Sequence, residues 1–124
     1  MRSALMPFLP AALWAVAIWG IGGLEATPAV PSGVGLDKVA HLGMYGVLGW
    51  LLGRAWFAVD RRVTWLLPLL LPLLLGAADE LRQRALTGRT GDVADWFADG
   101  AGATSGMVLA RYRARRSRKA NADE

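Results

Sequence analysis

Long uncharged runs alternate with short polar stretches along this chain. Ala4 to Leu24 holds 21 residues without a charge, enough helix to cross a hydrocarbon layer of about 30 Å at roughly 1.5 Å per residue. Pro7 and Pro10 fall in its first turns, where proline is tolerated. Glu25 to Leu36 reads as a loop punctuated by Pro28, Pro31, Gly33 and Gly35. A second apolar run spans about residues 39–59 and contains His41, Tyr45 and Arg54. Asp60, Arg61 and Arg62 make a polar turn after it. A third run, about 63–80, passes Trp65, Pro68 and Pro72 before Asp79 and Glu80 end it. A fourth covers about 93–110, followed by a basic tail over 111–124. The pattern predicts an all-α fold, a four-helix transmembrane bundle in a single domain of residues 1–110.

A cleavable signal peptide is the competing reading of the first run. The run is longer than a usual apolar signal core of about 7–15 residues, and no A-x-A site follows it.

Composition agrees with the pattern. Of 124 residues, 54% are hydrophobic and 19% charged, more apolar surface than a soluble domain this small can bury. The absence of cysteine excludes disulfides, thiolate metal sites and cysteine nucleophiles. Charge placement then sets an expected orientation. With four crossings, Arg2, Arg54, Arg61, Arg62 and the six Lys and Arg of the tail share one side, ten of the 14. Lys38, Arg82, Arg84 and Arg89 fall on the other. Positive charge concentrates on the cytoplasmic side, so both termini are expected inside a bacterial inner membrane. The tail reads as a topology anchor near anionic lipid rather than a nucleic-acid site.

Small residues recur at intervals of four: Gly49 and Gly53, then Ala98, Gly102, Gly106 and Ala110. This spacing lines one helix face and lets backbones approach closely. It predicts helix–helix contacts within the bundle, with a homodimer face as the alternative.

The polar residues that carry any chemistry gather at the expected outer end. Asp37, His41 and Tyr45 follow an i, i+4, i+8 spacing that lines one face of the second helix, and Asp37 also suits a helix N-cap. Residues 63–78 give roughly 24 Å of helix, so Asp79 and Glu80 are expected below the headgroup level, where acidic groups usually face a bundle interior or a cavity. Gln83 and Arg84 follow one turn later. Asp92, Asp95 and Asp99 share a face of the fourth helix. Asp92 suits an N-cap, with Asp95 at the third helical position, whereas Asp99 lies two turns inside and requires a cation, a proton or a metal. Tyr45 is expected to place its hydroxyl on a neighbouring acid, and Trp65 and Trp96 to anchor span ends.

These residues resemble the VanZ-like family of small bacterial membrane proteins. Three blocks carry the resemblance: Asp37-Lys38-x-x-His41-x-x-x-Tyr45; Asp79-Glu80-x-x-Gln83; and Gly88-Arg89, then Asp95, Asp99 and Gly102. One position departs, because the family pattern usually has asparagine where this chain has Asp99. The family is named for a protein linked to teicoplanin resistance, and the resemblance implies a multi-pass membrane fold without supplying an activity.

Three accounts of the polar cluster stand at this point. The first is recognition of an anionic, lipid-linked cell-envelope headgroup such as a polyprenyl phosphate. Its binding residues would be Asp37, Lys38, His41, Tyr45, Asp79, Glu80, Gln83, Arg89, Asp95 and Asp99, with Arg82 and Arg84 adding cations at the rim. The second is a metal-dependent hydrolase or transferase using His41 with Asp79, Glu80, Asp95 and Asp99. The third is an ion-pair network that fixes helix register, with Asp37 on Lys38 or Arg89 and Glu80 on Arg84. No nucleophile–base spacing marks a catalytic residue, and no cofactor or nucleic acid is expected.

Overall fold

The computed structural model describes residues 5–22, 35–59, 66–86 and 93–122. They form a 3-10 turn Met6–Phe8 and four α-helices: α1 Leu9–Gly22, α2 Leu36–Val59, α3 Leu66–Leu86 and α4 Val93–Ala120. Among the described residues there is no strand, so the all-α expectation holds. Of the four helices, α2 is long and apolar enough to cross a membrane. The other three are interrupted in different ways. A 3-10 turn containing Pro7 precedes α1 and leaves it 14 residues long, Asp79 and Glu80 cut the apolar part of α3, and α4 carries aspartates near one end and arginines at the other.

The helices run up and down. Phe8 packs edge-on against Trp56 with ring centroids 6.2 Å apart, and the Trp14 indole donates to the Met44 carbonyl at 2.8 Å, which sets α1 antiparallel to α2. The Trp96 indole donates to the Leu73 carbonyl at 3.1 Å, joining α4 to α3. Lys38 meets Asp95 near the start of α2 and α4, and Arg118 meets the Phe57 carbonyl near their ends, so these two helices are parallel. The end of α1, the start of α2, the end of α3 and the start of α4 therefore gather at one end of the molecule.

The small-residue stripes explain how α2 and α4 come together. A Cβ on Gly49 would run into the Ala103 backbone, one on Gly102 into the Leu42 carbonyl, and one on Gly106 into the Gly46 carbonyl. Only hydrogen fits at these crossings. Tyr45, Leu48, Leu52, Ala103 and Met107 fill the core on either side of the contact. The stripes face each other inside one chain, as the spacing of four predicted. Thr104 and Ser105 return their hydroxyls to carbonyls one turn back, so neither leaves an unmet donor on α4.

Helix ends differ in detail from the sequence expectations. Asp37 lies in the first turn of α2 rather than at its cap. Gly35, at φ 100°, precedes the helix, and its carbonyl accepts from the Val39 amide. Asp95 is the third residue of α4, as expected, whereas Asp92 lies outside the described residues, as does Trp65. The basic segment begins inside a continuous helix: α4 runs past residue 110 to Ala120.

Candidate functional site

The gathered helix ends bring most of the singled-out polar residues together. Lys38 Nζ lies 2.9 Å from Asp95 Oδ1 and 3.8 Å from Asp37. One turn further into the molecule, His41 Nδ1 lies 2.9 Å from Asp99 Oδ1 and donates to it when that nitrogen carries the ring proton. The i, i+3/i+4 spacings that put Lys38 and His41 on one face of α2, and Asp95 and Asp99 on one face of α4, make this a two-rung ladder between parallel helices. Asp99 is the deeper rung, with only 2% of its surface exposed. Gly76 on α3 makes room for it: a Cβ there would lie 2.8 Å from Asp99 Oδ2.

The α3 acids stand on either side of this ladder. Asp79, buried, pairs with Arg82 at 2.5 Å. The Arg82 guanidinium also donates to the Trp19 carbonyl at 2.8 Å and stacks over the Trp19 ring, 4.2 Å from its centroid. Gly22 admits this pair against α1, since a Cβ there would lie 2.8 Å from both Arg82 and Asp79. A salt bridge capped by an aromatic face and a carbonyl locks the end of α1 to α3.

Glu80 is different. It is 7% exposed, and its Oε2 atom accepts no hydrogen bond from the described residues. Asp95, His41, Asp99 and Arg84 are the charges that act on it. It lines a cleft of about 320 Å³ between α3 and α4, together with Ala77, Leu81, Arg84, Val93 and Trp96. The walls are apolar, and the charged groups in it are Glu80 and Arg84. A buried carboxylate oxygen without a partner is costly unless something satisfies it.

Tyr45 departs from expectation. Its ring is buried in the core at 1% exposure, and its hydroxyl has no hydrogen-bond partner among the described residues. Asp99, Asp79, Glu80 and Arg82 are the charges that act on it, yet its hydroxyl is hydrogen-bonded to none of them. Gln83 lies on α3, and Arg89 lies outside the described residues. Thus Asp37, Lys38, His41, Asp95 and Asp99 come together directly, Asp79 and Glu80 flank them, and Tyr45 lies beneath. Arg82, expected as a rim cation, is instead held by Asp79 and Trp19, and Trp19 was not among the expected binding residues. The Asp79-x-x-Arg82 spacing was the available signal for the pairing, and nothing local marks Trp19 as its cap.

No three His, Asp or Glu side chains among the described residues are placed to hold one metal ion. Asp79 pairs with Arg82, Asp95 with Lys38 and Asp99 with His41 instead, which leaves the metal-dependent reading without a ligand set there.

Fold and site together define a small all-α protein with charged residues buried where four helix ends meet, and with one helix able by length and composition to cross a membrane. Residues 4–114 match the family model described as VanZ/LLP1, and the chain belongs to that family. No curated protein and no solved structure matches it.

Proposed function

We propose that this VanZ-like protein is a four-span membrane protein that binds an anionic, lipid-linked headgroup in the cleft between α3 and α4. The cleft carries this reading. Glu80, with a carboxylate oxygen that lacks a partner among the described residues, lines it beside an arginine within apolar walls, and so it suits a ligand that is polar at one end and apolar at the other. Arg84 presents a planar fork suited to phosphate, and Glu80 accepts from a hydroxyl or an amide N–H. Arg89, in the connection between α3 and α4, supplies a further cation. Asp37, Lys38, His41, Asp79, Asp95 and Asp99 hold the helix ends that shape the cleft, with Tyr45 below them.

The outer surface supports placement in a bilayer. Leu13, Val16, Val47, Leu70, Leu71, Leu74, Val108 and Leu109 are exposed on all four helices while Asp79, Glu80 and Asp99 are buried. That distribution inverts the one water favours. In this arrangement both termini are cytoplasmic, and the cleft opens at the outer membrane–water boundary of the bacterial inner membrane.

Native mass spectrometry of the full chain from mild detergent, titrated with a polyprenyl phosphate, tests the reading. The wild type is expected to retain the lipid, and Arg84→Gln to weaken retention about tenfold, the loss of one charge-assisted phosphate contact. Glu80→Gln is expected to retain the bare phosphate lipid but to lose any preference for its sugar-bearing form. Equal retention by wild type and Arg84→Gln, or none by either, would overturn headgroup recognition in favour of a register-fixing ion-pair network.

A further inference from the structure

At the opposite end of the molecule, a second cleft of about 590 Å³ lies between the last turns of α2 and α4. Its lining includes Trp50, Arg54 and Phe57 from α2, and Arg113, Ser117 and Arg118 from α4. Among the described residues, three guanidiniums and no carboxylate line it. The ion pairs at the first site all lie elsewhere: Lys38 and Arg54 are separated by sixteen positions of one helix, roughly 24 Å. The donors here have a definite arrangement. The Arg54 guanidinium lies over the Trp50 ring, 4.8 Å from its centroid. Trp50 Nε1 is buried without an acceptor among the described residues. Arg118 reaches across to the Phe57 carbonyl at 3.3 Å, drawing the end of α4 onto the end of α2.

A group of three arginines lining one cleft, with no carboxylate beside them among the described residues, calls for an acceptor-rich anion. Phosphate matches both the charge and the fork geometry. Four apolar positions, Phe57, Ala58, Ala110 and Ala114, complete the walls and leave space for carbon beside the anion. We propose that this cleft is a second, separate phosphate site, taking the phosphodiester of an anionic phospholipid or a free phosphate or pyrophosphate. The basic residues that continue α4 then act as a built site rather than as a diffuse positive tail.

The test uses the full chain in a nonionic detergent at about 0.15 M salt, where attraction between dispersed surface charges is largely screened. Binding of dihexanoyl phosphatidylglycerol, dihexanoyl phosphatidylcholine and sodium pyrophosphate is measured by calorimetric titration. Arg54→Gln with Arg113→Gln is expected to weaken phosphatidylglycerol or pyrophosphate binding about tenfold or more. Arg115→Gln with Lys119→Gln removes the same charge from positions off the cleft and is expected to change it less than about twofold. All four side chains are exposed, so thermal unfolding of both variants should stay at the wild-type value. Arg84→Gln should leave this binding unaltered, which separates it from the α3–α4 cleft.

Binding of phosphatidylglycerol alone identifies a lipid headgroup as the source, and equal binding of pyrophosphate identifies a soluble phosphate. Either result supports the site. Equal losses in the two double variants, equal binding of phosphatidylcholine, or no binding by any of the three probes would overturn it.

Discussion

Replacing Gly106 by alanine is expected to unfold the protein at a temperature well below wild type, although alanine is the better helix former. Propensity favours the substitution by about 0.5–1 kcal/mol. Packing opposes it more strongly. The new methyl would overlap the Gly46 carbonyl and stand 2.7 Å from the Trp50 amide nitrogen, and these backbone atoms cannot rotate away. Overpacking of a tight contact costs about 1–3 kcal/mol, with the upper end expected where backbone meets backbone, and Gly106→Leu should prevent α2 and α4 from docking at all. Gly43 supplies the control on the same pair of helices. Nothing lies within 4 Å of a Cβ there, so Gly43→Ala should be neutral or slightly stabilising. The check is thermal unfolding of the purified variants in one detergent. Gly106→Ala melting with Gly43→Ala would contradict the close α2–α4 crossing.

The second large effect concerns Asp99, the deepest polar residue of the ladder. Asp99→Ala removes the partner of His41 Nδ1 and opens a void against Gly76. Breaking a buried pair and orphaning one member costs about 3–5 kcal/mol. Partial exposure of His41, 18% at its side chain, lets water recover some of that, so about 2–3 kcal/mol is the expected loss. Asp99→Asn keeps the shape and an oxygen that accepts from His41, and removes a charge from a site where charge is expensive. It should melt within a few degrees of wild type or above it. The same measurement read on these two variants distinguishes them: equal damage from both would mean that the charge itself, and not the hydrogen bond and volume, holds the site together.

The helices were legible because the chain separates apolar runs with charges and prolines, and that pattern survives any choice of packing. Their ends were less so. Gly35 displaced Asp37 from the start of α2 because a positive φ is readily adopted by glycine, and the aliphatic stems of the basic residues let α4 continue to Ala120. At the site, the spacing correctly put Asp95 with Asp99 on one face of α4, but on α2 it grouped His41 with Asp37 and Tyr45, whereas Lys38 and His41 are the pair that reaches α4. The rungs themselves depend on the register between α2 and α4, which is set by Gly46, Gly49, Gly102 and Gly106 some distance away. Lys38 and Asp95 are 57 positions apart, and no local pattern reports their meeting. Tyr45 shows the limit of the spacing rule: it shares a face with His41, yet core packing fixes its ring first and leaves its hydroxyl without the acid expected for it.

The orientation of the polar site relative to the bilayer is the central claim, since a headgroup of the outer leaflet reaches it from only one side. The chain contains no cysteine, so single cysteines placed at Ser32, Thr90, Asp60 and Ala120 each report one position. In intact cells a membrane-impermeant maleimide is expected to label Ser32→Cys and Thr90→Cys, and to label Asp60→Cys and Ala120→Cys only after the membrane is opened. The reverse pattern, or labelling of Thr90→Cys and Asp60→Cys from the same side, would contradict a four-span protein with its polar site facing outward.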